Sequence, residues 1–95
     1  MKYYTWDEEK NKKLIEERKV SFEEVVFFIE KGNLLDVLDH PNKQKYKNQR
    51  MFVVRIGDYA YLVPFVEGKK DVFLKTIIPS RKATKEYLSE VKNDE

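Results

Sequence analysis

The sequence predicts an α+β fold: a short N-terminal strand, two helices, an antiparallel sheet of three to four strands, and a C-terminal helix. Three observations carry that expectation. Behind a capping signal at Ser21, apolar residues recur at helical spacing; from Leu34 the spacing falls toward two; after Pro79 it returns to three and four.

KYYTW, residues 2 to 6, is short and aromatic and opens the chain as a strand. Asp7 can cap a helix running to about Arg18, with Glu8 and Glu9 at the positive end of its dipole. Only Leu14 and Ile15 are apolar in it, so it lies on the surface with one narrow face inward. In the next helix Ser21 and Glu24 form a capping box, and Val20 and Val25 can staple across it. Phe22, Val25, Val26, Phe28 and Ile29 make a core stripe, and Gly32 supplies the stop. LLDVLDH then predicts a strand, RMFVVRI (50 to 56) and YAYLVPFVE (59 to 67) a hairpin about Gly57 and Asp58, and VFLKTII (72 to 78) a third strand of the meander. Pro64 has no N–H to give a ladder, which predicts an edge stretch or a bulge there. Ala83, Thr84, Tyr87, Leu88 and Val91 mark the last helix.

With 95 residues the chain is expected to form one domain, 1–95, around one core. Hydrophobic residues at 41% can fill that core, and 38% charged residues make the surface ionic. The absence of cysteine excludes disulfide and thiolate-zinc frameworks, and a single histidine excludes an imidazole cluster, so neither metal nor cofactor is expected. His40 has Asp36 and Asp39 near it, but on alternating strand faces. The N-terminus carries no long apolar run and no stretch approaches a membrane span, so a soluble cytoplasmic protein is expected. Charge is uneven: residues 1 to 39 hold 7 Lys and Arg against 10 Asp and Glu, and residues 40 to 95 hold 12 against 7. The C-terminal side is the one that steers toward a polyanion.

Two stretches concentrate cations. HPNKQKYKNQR, residues 40 to 50, holds Lys43, Lys45, Lys47 and Arg50 around Tyr46 without a carboxylate. That pattern suits phosphates with a base stacked between them, and equally suits a solvated hairpin loop. In PSRK, Ser80 can cap the last helix, so that free backbone N–H groups, Arg81 and Lys82 bear on one volume fit for a phosphate. Alternatively the two cations splay into solvent or pair with acids such as Glu16 or Glu17. Strand alternation puts Arg50 on the face of Phe52, Val54 and Ile56, at the strand end. It puts Lys75 with Phe73 and Ile77, and Thr76 with Leu74 and Ile78. There is no glycine-rich phosphate loop and no serine triad signature.

WDEEK (6 to 10), VSFEE (20 to 24) and IIPSRKAT (77 to 84) together resemble, in order and spacing, the BrnT family of bacterial toxins. The resemblance implies a RelE-like ribonuclease fold, a toxin of a type II toxin-antitoxin system that cleaves mRNA without a metal. It also implies neutralisation by a BrnA-type antitoxin, through which alone DNA is contacted. In that setting Arg50, Arg81 and Lys82 are the groups suited to stabilise the attacked phosphate. Lys43, Lys45, Tyr46, Lys47, Lys75 and Tyr87 would hold RNA, although Tyr87 also suits a core position on the inner helix face. The resemblance is to a divergent member of the family. Thr76 stands where the family usually has an arginine, and Tyr87 and Leu88 replace a usual Glu-Arg pair. Leu14 and Glu17-Arg18 stand for the usual Asn and Lys-His of the first helix. Those departures motivate a second reading: a non-catalytic RelE-like binding module that acts as antitoxin partner and co-repressor.

Overall fold

Local capping chemistry starts each helix where expected. A computed structural model describes residues 3–39, 41–42, 44–45 and 49–88. After β1 (Tyr3–Trp6), the Asp7 carboxylate accepts from the Glu9 N–H at 2.9 Å to open α1 (Glu8–Arg18). Lys19 closes α1 in the left-handed conformation, φ 58°, a place glycine usually takes. The capping box opens α2 (Phe22–Glu30): Ser21 Oγ accepts from the Glu24 N–H, and the Glu24 carboxylate accepts from the Ser21 N–H. Asn11, which is 3% exposed, binds the two helices together. Its Oδ1 accepts from the Phe22 N–H and its Nδ2 donates to Glu23, both at 2.8 Å. One of the orphan donors of α2 is thereby served from inside the protein.

The strands β2 (Leu34–Asp39), β3 (Gln49–Ile56), β4 (Tyr59–Glu67) and β5 (Asp71–Leu74) follow, then β6 (Ile78–Pro79) and α3 (Arg81–Leu88). Their order in the sheet is β1-β5-β4-β3-β2, with β6 also on β4. The sheet is mixed rather than wholly antiparallel, because β1 joins it parallel to β5, from Tyr3 opposite Asp71 to Trp6 opposite Leu74.

The expected single strand over 72 to 78 is two. β5 pairs β4 as far as Leu74 opposite Phe65, and β6 resumes with Ile78 opposite Leu62. Pro64 lies at the junction, where its carbonyl accepts from the Lys75 N–H at 2.8 Å. Carbonyl and nitrogen of one strand residue point the same way, so the donor that Pro64 lacks is on the side where the ladder is interrupted. The expectation of an edge or bulge is met in altered form: β4 is central, and the neighbour gives way. Its consequence is a lost alternation, since Leu74 and Ile77, three residues apart, are both fully buried in the same core.

The sheet separates two clusters. Leu14, Val20, Phe22 and Val25 of the helical segment pack on Phe52, Val54, Val63, Phe65, Val72, Leu74 and Ile77. The Phe52 and Phe65 rings stack at 3.9 Å, and Trp6 stacks on Phe22 at 5.6 Å. Across the sheet, α3 covers a smaller cluster, Val53, Ala60 and Ala83, flanked by Leu35, Leu38, Leu62, Tyr87 and Leu88. Among the described residues no helix is long and apolar enough to cross a membrane.

Candidate functional site

Three residues anchor the start of α3 to β4. The Ser80 N–H donates to the Ala60 carbonyl at 3.1 Å, and Ser80 Oγ accepts from the Ala83 N–H at 3.0 Å, so Ser80 is the N-cap. Thr84 Oγ1 accepts from the Ala60 N–H at 2.9 Å and donates to the Ser80 carbonyl at 2.7 Å. Ala60, fully buried, has both backbone groups on that side served by α3 instead of by a strand. With Ala83, Thr84, Tyr87 and Leu88 turned to the sheet, Arg81 and Lys82 are left exposed at the first turn. Neither pairs with a carboxylate among the described residues, and Arg18, beside Glu16 and Glu17 on α1, donates to the Ile77 carbonyl. Cations in a first turn typically cost a helix roughly 0.3 to 1 kcal/mol each through the dipole. The anchor to β4 offsets that cost, and an anion would reverse it.

Tyr87 takes the inner position. Its ring joins the smaller cluster and its hydroxyl donates to Asp36 Oδ2 at 2.7 Å, while Asp36 Oδ1 accepts from the Val37 N–H at 2.7 Å. A register shift between Leu34 and Asp36 sets Asp36 opposite Val53, on the α3 face. Without that shift its carboxylate would point into the main core. The Tyr87 hydrogen bond, and after it the Val37 N–H, hold the Asp36 carboxyl below its ordinary range. The same hydrogen bond, then burial and the negative charges of Asp36 and Glu86, push the Tyr87 phenol up to about 12. At neutral pH Tyr87 is a fixed hydrogen-bond donor, not a base.

Arg50 is placed elsewhere. It lies over the Phe65 ring, 5.5 Å from the centroid, on the α1/α2 face, and its Nη2 donates to Glu67 Oε1 at 2.9 Å. Arg50 faces Phe65 and α3 starts at Ala60, five positions away along β4. At about 3.3 Å per residue that is roughly 16 Å, and the two sites are on opposite faces. The structure therefore does not bring Arg50 together with Arg81 and Lys82. Lys75 Nζ donates to Gln49 Oε1 at 3.3 Å near the Arg50 end. Lys45 is exposed, with its backbone N–H on Asn42 Oδ1 at 3.2 Å. Lys43, Tyr46 and Lys47 lie outside the described residues.

Sequence reasoning passed over an aromatic pair on β4, on the sheet face opposite α3. In the β4–β6 ladder Tyr61 faces Pro79 and Leu62 faces Ile78, and the ladder ends there, one residue before the Ser80 cap turns the chain into α3. The Tyr59 and Tyr61 rings meet edge to face at 5.7 Å. Arg18 reaches Ile77 two residues before Pro79. Alternating Tyr59 and Tyr61 were visible in the sequence, but their neighbours depend on the β5–β6 break, which shifts the register by one.

Among the described residues no group of three or more His, Cys, Asp or Glu side chains could hold a metal ion. Comparison with curated proteins and with solved structures gives no match. Comparison with family models matches residues 6–86, from the last residue of β1 into the last turn of α3, to the ribonuclease toxin BrnT of type II toxin-antitoxin systems. Because that match takes in both core-forming helices, the whole sheet from β2 onward and the anchored start of α3, the chain belongs to the BrnT family of ribonuclease toxins.

Proposed function

We propose that this chain is a cytoplasmic, RelE-like, metal-independent endoribonuclease that cleaves mRNA and is neutralised by a BrnA-type antitoxin, which supplies any contact with DNA. The observation that carries the proposal is the pair Arg81 and Lys82, exposed at a Ser80-capped helix start that β4 holds rigid, with no carboxylate of the described residues paired to either. RNA can be cut by its own 2′-hydroxyl attacking the adjacent phosphorus while the 5′-oxygen leaves. The enzyme then has to align the two and to stabilise the extra negative charge on the phosphoryl oxygens. Arg81 and Lys82 supply that charge stabilisation, and Lys75 and Lys45 contact RNA away from the reaction centre. Arg50, bound to Glu67, holds the fold at the far end of the strand and contacts RNA outside the reaction centre.

Expression without the partner should arrest growth, and Arg81→Ala should relieve the arrest. Purified protein should cleave labelled mRNA equally with and without EDTA. Unaffected growth together with intact RNA would refute the proposal. A second reading, a non-catalytic partner and co-repressor of the antitoxin, is favoured by the internal engagement of Tyr87 and Arg50 and by Thr76 in place of the family's arginine. It predicts antitoxin binding with no RNA cleavage.

A further inference from the structure

We infer that the half of the sheet face left open beside α3, a patch of Leu38, Met51, Pro64, Val66 and Phe73, is the docking surface for one acidic amphipathic helix of the antitoxin. The inference rests on the toxin-antitoxin reading above and adds to it which surface the antitoxin covers.

Strand alternation defines the patch. Phe52, Val63, Phe65, Val72 and Leu74 point into the main core, so their neighbours Met51, Pro64, Val66 and Phe73 point to the α3 side. The register lines them up: Leu38 is opposite Met51, Met51 opposite Pro64, and Val66 opposite Phe73. Met51, Pro64, Val66 and Phe73 belong to neither apolar cluster, and Phe73 is 37% exposed. β3 and β4 are thus apolar on both sides, the pattern of strands covered twice, yet the cluster under α3 stops at Leu38 and Leu62. The start of α3 bonds Ala60 and its last turn bonds Asp36, so the helix lies across the hairpin end of the sheet. Among the described residues α3 is the one helix on this side, and the far half of the face has no second layer.

Charge selects the occupant. Lys75 stands within the patch, its Nζ donating to the neutral Gln49 Oε1, and Arg81, Lys82 and Lys85 are exposed on α3. Of the acids on this side, Asp36 accepts from the Tyr87 hydroxyl and Asp71 from the Thr5 hydroxyl, which leaves Glu86. A second copy would set these cations against their own kind. A nucleic acid would find one ring, Phe73, among side chains that offer no stacking face. An acidic polypeptide with one apolar side meets both the charge and the surface. Dimensions agree: the sheet's path of five strands, at about 4.8 Å apart, is about 19 Å across, the length of roughly 13 helical residues. Docked there, the helix continues the layer that α3 begins and covers Lys75, which removes one of the toxin's RNA contacts.

The test uses the full-length chain and the antitoxin from the adjacent reading frame, with affinity measured by calorimetry. Phe73→Asp puts an acid on the patch and should weaken the complex by about thirtyfold or more, a hot-spot-sized loss, whereas Phe73→Leu should bind close to wild type. Phe27→Asp, at an exposed ring on α2 across the sheet, should bind like wild type. The wild-type complex should weaken as salt rises. In cells Phe73→Asp should still arrest growth and escape rescue by the antitoxin. A wild-type measurement keeps the inference testable if Phe73→Asp fails to fold: hydrogen peroxide should oxidise Met51 readily in the free chain and much more slowly in the complex. Unchanged antitoxin affinity in Phe73→Asp, an affinity indifferent to salt, or equal oxidation of Met51 in both states would overturn the inference and leave the toxin-antitoxin reading intact. So would a self-associated free chain that Phe73→Asp splits, or RNA binding lost in Phe73→Asp with antitoxin binding kept. No complex with the antitoxin together with no growth arrest would remove both.

Discussion

Thr84→Val isolates the anchor of α3. Valine matches threonine in shape and closely in helix propensity, so the change removes the hydroxyl and little else. Ala60 is fully buried, and its N–H loses the Thr84 acceptor; an unmatched buried donor costs about 1 to 3 kcal/mol. The lost donation to the Ser80 carbonyl adds about 0.5 to 1 kcal/mol, and the extra methyl group returns up to about 0.8 kcal/mol. A net loss of about 2 kcal/mol corresponds, for a domain of this size, to a fall in Tm of about 10 °C. Urea unfolding followed by far-UV circular dichroism should show the midpoint move with an unchanged slope. Thr84→Ser, which keeps the hydroxyl and drops a methyl, should lose about half as much or less. A valine variant within about 0.5 kcal/mol of wild type, or a serine variant equally damaged, would show that the hydroxyl is not what holds α3 to β4.

Two other outcomes follow from the same reasoning. The Tyr87–Asp36 bond makes stability depend on pH at both ends. Asp36, depressed in the fold, contributes stability that is present above the unfolded carboxylate pKa and lost as pH falls through the folded value. Tyr87, raised, contributes stability that is full below about 10 and lost as pH rises toward about 12. Tyr87→Phe should flatten both limbs of a urea-midpoint profile, and unchanged limbs would count against the bond. Asn11→Ala should cost about 2 to 3 kcal/mol in the same assay, because it strands the buried Phe22 N–H; a neutral result would mean that water replaces the amide.

Helix starts were legible because capping is local: Asp7, Ser21 with Glu24, and Ser80 each act within three residues of themselves. The hairpin was legible for the same reason, as Gly57 takes the positive φ, 66°, that its turn needs. The break at 75 to 77 was not, because its cause is Pro64 on the neighbouring strand, and nothing in VFLKTII records its partner. The parallel placement of β1 was hidden likewise. Of the candidate site, Arg81, Lys82 and the cap were readable from one short stretch. The Glu67 partner of Arg50 and the Asp36 partner of Tyr87 were not, since a cross-strand register and a bulge decide them. Cations are easy to count along a chain, but which of them share a surface is a property of the sheet.

The pairing of β1 with β5 sets a timetable for synthesis. Residues 3–6 leave the ribosome well before their hydrogen-bonding partner, residues 71–74, has been made. Until then Trp6 has no strand beside it, and the main core, which draws on both Phe22 and Ile77, cannot close. Contacts of such long sequence separation form late and slowly. A nascent chain of this protein therefore gains its folded surface only after residues 71–77 have emerged, which separates the making of the first helices from the moment the toxin becomes able to act.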